Sequence, residues 1–145
     1  MGFSRRVWLL YGIWLLATRL ALIAAFPALL DGDAVARMSD WQTLGIRPGA
    51  RPYWLPLYEF VLWIGGSAGA QYIGFRVIAS VCDVLLGLAF LAVLPPGISA
   101  RLRMAGACLF AASPIRVHIA TLPYQEPLAW ALLLGFFAVW MQWAR

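Results

Sequence analysis

The chain has 145 residues, 63% of them hydrophobic, and a mean hydropathy of +0.81. Soluble domains are about 45–50% apolar, so a core of this size cannot hide the excess, and lipid is the expected solvent for most of it. The net charge of +5 comes from eleven arginines and no lysine. They are scattered between apolar segments, which argues against a nucleic-acid surface and toward membrane topology and phosphate binding.

The first apolar segment runs from about Val7 to Leu30, long enough to span a bilayer. Arg5 and Arg6 precede it, which places the N-terminus on the cytoplasmic side. "SRRVWLL" has a passing likeness to a twin-arginine export signal, but the apolar run is too long for one and carries Arg19.

Residues 31–71 form the one long polar connection, expected as the first external loop. It opens with Asp31, Asp33 and Asp40. Asp33 suits the cap of a short amphipathic helix, and "IRPGARPYWLP" interrupts it. A second short helix, "LYEFVLWI", then ends at Gly65-Gly66. Trp41, Tyr53, Trp54 and Trp63 fit a membrane–water boundary, so the loop is expected to lie on the membrane face with two surface helices.

Segment two runs from about Tyr72 to Leu94, segment three from Arg103 to Ala120 with Pro114 near its outer end, and segment four from Pro127 to Trp143. A second loop, "TLPYQEP", carries Glu126. The expected fold is an all-α, polytopic membrane helical bundle of about four transmembrane helices, a single membrane domain over 1–145. Arginine density is higher in the short inner segments (Arg5, Arg6, Arg101, Arg103, Arg145) than in the outer ones (Arg37, Arg47, Arg51, Arg116). That bias places the aspartate loop outside, facing the periplasm across a plasma (inner) membrane.

Two charges fall inside the spans. Arg19 lies twelve residues before Asp31, and Asp83 eleven residues after Tyr72, so they share a depth near the midplane. A lone charge there costs about 2.5–3.5 kcal/mol, and pairing is the expected solution. An Arg19–Asp83 contact between segments one and two follows, either as a structural pair or as part of a substrate path. Arg76, Ser80, Asp83 and Gly87 continue one polar or small helical face, which should point into the bundle. Arg76 alternatively snorkels to headgroups. Cys82 and Cys108 read as packing residues, and His118, without a partner at ligand spacing, as a structural or interfacial histidine.

Asp33 precedes Arg37 by four residues, which brings a proton acceptor or metal ligand beside a phosphate-gripping guanidinium on one helix face. Glu126 enters from the second outer loop. Together they outline a pocket for a charged lipid headgroup, whereas Asp40 reads as a cap or solvated loop residue.

The segments "TRLALIAAFPALLDGDAVAR", "RPYWLPLYEFVLW", "YIGFRVIASVCDVLLGLAFLAVL" and "FAASPIRVHIATLPYQEPLAWALLL" resemble the N-terminal part of the integral-membrane GT-C glycosyltransferases. That superfamily includes the polyprenyl- and dolichyl-phosphate-sugar-dependent mannosyltransferases. The resemblance implies transfer of a sugar, such as mannose, from a lipid-phosphate donor to a hydroxyl of a protein, glycan or lipid acceptor on the external face. It gives Asp33 or Asp31 the role of general base, or of helping to hold a divalent metal such as Mg or Mn, with Glu126 as the second acid. Arg37 and Arg76 would contact donor phosphate. Family members have many more than four spans, so the resemblance also implies a fragment that is inactive alone. A small multi-pass transport or binding protein is the other reading, with Arg19, Asp83 and Arg76 lining a path.

Overall fold

The computed structural model describes residues 3–27, 71–95, 97–122, 124 and 126–143. The expected loop over 31–71, with Asp31, Asp33, Arg37, Asp40 and its two surface helices, lies outside these residues apart from Gln71. Among the described residues every regular element is a helix: α1 Arg5–Ala25, α2 Gln71–Val93, α3 Ala100–Ala112, α4 Pro114–Thr121 and α5 Glu126–Trp143.

Two helices are long and apolar enough to cross a membrane, Arg5–Ala25 and Ile73–Val93. α3 and α4 together reach that length as one span bent by 59°. The apolar stretch Glu126–Met141 of α5 is shorter. Large apolar side chains stand on the surface of all of them, among them Leu9, Leu85, Leu109, Ile115, Phe136 and Trp143. Such a surface is compatible with a membrane protein and costly in water.

Local chemistry sets the ends. α1 stops at Ala25, short of the expected Leu30, because Pro27 disfavours helical backbone at Phe26, whose φ/ψ is −130°/65°. Ser99 begins α3, its Oγ accepting from Leu102 N at 3.4 Å. Segment three is not one helix as expected. Pro114 lacks an N–H and its ring would collide with the preceding turn, so α3 ends at Ala112 and α4 restarts with Pro114 in its first turn.

α2 is the central mast and touches each of the other four helices, α5 most extensively. The α3–α4 pair climbs it in order. At the lower end, Arg103 Nη2 donates to Leu91 O at 3.4 Å and its guanidinium sits 4.7 Å over the Phe3 ring. Higher up, Tyr11 Oη donates to Ala107 O at 2.9 Å and Arg19 Nη2 to Ala111 O at 2.6 Å. At the upper end, Ser80 Oγ donates to Ala120 O at 2.9 Å and Arg76 Nε to Thr121 O at 2.5 Å. The bent pair therefore rises from one end of the bundle to the other and does not double back. Tyr11, Leu15, Leu91, Ala107 and Ala111 form the lower core around which it packs.

Candidate functional site: a buried charge cluster on the α2 stripe

The polar face expected on segment two is real and wholly buried. Arg76, Ser80 and Asp83 have no exposed surface, and Gly87 is buried with them. Their i, i+4, i+7, i+11 spacing lines them up on one side of α2.

Asp83 is the centre. Arg19 Nε donates to its Oδ2 at 3.1 Å, so the contact expected from their depths is present. The second oxygen is taken by a residue that the sequence reading had put among the outer arginines. Arg116 Nε donates to Asp83 Oδ1 at 2.5 Å, and Arg116 Nη2 donates to Asp83 O at 2.8 Å. Arg116 is only 3% exposed and its guanidinium lies 4.2 Å over the Phe110 ring. It is thus a buried residue of α4 and not a loop charge. One carboxylate between two guanidiniums leaves this cluster with a formal charge of +1.

Gly87 makes the arrangement sterically possible. A Cβ there would stand 2.5 Å from Leu15 Cδ1 and 2.9 Å from Arg116 Nη2. The position therefore has no room for a side chain while Arg116 reaches Asp83.

Arg76 does not snorkel. It is fully buried, and besides Thr121 O it donates from Nη1 to Phe26 O at 2.7 Å and Pro27 O at 3.0 Å. A common logic runs through three of the buried arginines. The last carbonyls of a helix have no partner within it and carry the negative end of the helix dipole. Arg76 meets the ends of α1 and α4, Arg19 the end of α3, and Arg103 the end of α2. These guanidiniums close helix ends, Arg76 through its Nε and Nη1. Arg103 Nε and Arg116 Nη1 are buried without a hydrogen-bond partner among the described residues.

The remaining candidates sit at the upper end. Glu126 occupies the first turn of α5 and is partly buried, two residues beyond Tyr124, whose ring centroid is 6.3 Å from that of the exposed His118. An apolar groove of about 340 Å³ lies nearby, lined by Leu22, Phe26, Pro114, Val117, His118 and Thr121. Cys82 is buried, Cys108 half-buried, and both are free thiols. Among the described residues no cluster of three His, Cys, Asp or Glu is placed to hold a metal ion, and Asp33 lies outside them.

Arg116 had one signal in the sequence. A carboxylate has two oxygens, each able to take a guanidinium, and Arg116 stands just past the break at Pro114. A scan against protein-family models finds no match to the chain, and comparison with curated proteins and with solved structures finds none either.

Proposed function

We propose that the chain is the N-terminal, four-span part of a GT-C type glycosyltransferase, with α5 as the fourth crossing and the acidic loop outside the plasma membrane. In this reading a lipid-phosphate-linked sugar, such as mannose, is transferred to an acceptor hydroxyl. The observation that carries it is the meeting of chain segments at Arg76. Its guanidinium holds Phe26 O and Pro27 O, four residues before Asp31, and Thr121 O, five residues before Glu126. The roots of the two acidic loops are thereby tied to one end of the bundle, which supports a shared headgroup site built from Asp33 or Asp31, Arg37 and Glu126.

Within that site Asp33 is the general base toward the hydroxyl, and with Glu126 it offers oxygens to a divalent cation. Arg37 stabilises the departing lipid phosphate. Arg76 acts from below, by fixing the loop roots. The test is transfer from a polyprenyl-phosphate sugar by the full-length protein, comparing Asp33→Asn with Asp31→Asn. A loss of at least a hundredfold in one of them is expected for removal of a general base; unchanged turnover in both removes this reading.

A second reading is favoured by a different observation. Four buried arginines and an aspartate beside a broken helix also fit a small multi-pass transport or binding protein.

A further inference from the structure

We propose that α4 is a movable half-helix that covers the polar stripe of α2 and gates access to it, an inference independent of the glycosyltransferase reading. Three observations converge on this short helix.

The first is its hinge. α4 is separated from α3 by a 59° bend at Ser113–Pro114, and Ser113 makes no side-chain cap to α4. Proline makes the break permanent, because the missing N–H cannot rejoin the two helices.

The second is how α4 is held. Its ties to α2 are polar: Arg116 to Asp83, Ala120 O from Ser80, and Thr121 O from Arg76. Pro114, Ile115 and His118 on its other side are exposed, and the 340 Å³ groove separates part of it from Leu22 and Phe26 of α1. Helices in lipid are not pressed together by the hydrophobic effect, so these bonds decide its position.

The third is charge. Docked, α4 adds a second guanidinium to an ion pair that Arg19 and Asp83 already complete. When α4 swings away it carries Arg116 off and leaves a neutral pair behind. Undocking therefore leaves Asp83 with a counter-ion, while Arg116 has to be solvated elsewhere. The uncovered surface is then Arg76, Ser80 and Asp83, a polar track from the upper end toward the middle of the bundle.

The experiment uses the full chain in lipid nanodiscs, with Cys82→Ala and Cys108→Ala to remove the native thiols. Ser80→Cys reports on the track through its reaction with a water-soluble methanethiosulfonate. Ala79→Cys, equally buried but one residue off the stripe, controls for general loosening. The expected result is measurable labelling of Ser80→Cys, at least tenfold faster in an Arg116→Met background, with Ala79→Cys unreactive in both. Arg116→Met leaves the balanced Arg19–Asp83 pair and is chosen for that reason. If Ser80→Cys perturbs folding, spin labels at Leu10→Cys and His118→Cys replace it. His118 lies about 6 Å along α4, so straightening the bend moves it by about 6 Å, while a Leu10–Leu102 control pair stays put. A Ser80→Cys that is inert in both backgrounds, or a Leu10–His118 distance that Arg116→Met leaves unchanged, overturns the proposal.

Discussion

Arg116 grips Asp83 twice, its Nε on the carboxylate at 2.5 Å and its Nη2 on the main-chain carbonyl at 2.8 Å. A side chain bonded to both the carboxylate and the main chain of one residue fixes the depth of α4 against α2. It also makes the two partners unequal when either is removed.

Asp83→Asn leaves Arg19 and Arg116 buried without a counter-charge. Breaking a buried ion pair in this way costs about 3–5 kcal/mol. Arg116→Met removes the surplus cation instead and is expected to cost less than half as much. Unfolding in detergent, followed by circular dichroism, ranks the two; equal losses would contradict the charge count.

Gly87→Ala places a methyl where Leu15 and Arg116 Nη2 now stand. Overpacking of a tight core position costs about 1–3 kcal/mol. Because Arg116 supplies one of the two close contacts, the effect of Gly87→Ala is expected to be smaller in an Arg116→Met background, with the contact to Leu15 retained. A double-mutant cycle on the same unfolding transition measures that coupling.

Arg76→Lys keeps the charge and loses the fork. A single ammonium is not expected to serve Thr121 O together with Phe26 O and Pro27 O, carbonyls that Arg76 reaches from two different nitrogens. The expected outcome is a folded protein in which the end of α1 is loosened, seen as faster proteolysis just after Pro27, with the α3 ties retained. Identical cleavage of wild type and variant would show that Arg76 does not hold the loop root.

Tyr11→Phe and Ser80→Ala remove the interhelical hydrogen bonds to Ala107 O and Ala120 O, and Tyr11→Phe also removes a contact with Arg116. Within a membrane bundle such bonds average about 0.6 kcal/mol. Both variants are expected to shift thermal unfolding only slightly, far less than Asp83→Asn, and differential scanning on the purified protein checks the ranking.

Depth along a helix can be counted, which is why Arg19 and Asp83 could be matched from residue numbers alone. The same counting exposed the face of Arg76, Ser80, Asp83 and Gly87. Arg116 escaped it because the number of arginines that one aspartate collects depends on where a third segment docks. Pro114 signalled an interruption, yet the 59° turn is set by three polar ties spread along α2, and no local pattern encodes such a set. Arg76 was rightly expected inside the bundle. Its use of main-chain carbonyls was hidden because helix ends from two distant parts of the chain meet there. Asp31, Asp33 and Arg37 remain a sequence-level proposal, supported by where their loop is rooted.

The partner of Arg19 is synthesised 64 residues after it, and Arg116 another 33 after that. On the membrane reading proposed above, α1 waits in or beside the insertion machinery during biogenesis with an uncompensated cation, at a cost of about 2.5–3.5 kcal/mol, until α2 delivers its aspartate. Release of the first helix into lipid is thus coupled to arrival of the second, and the order of translation becomes part of how this bundle assembles.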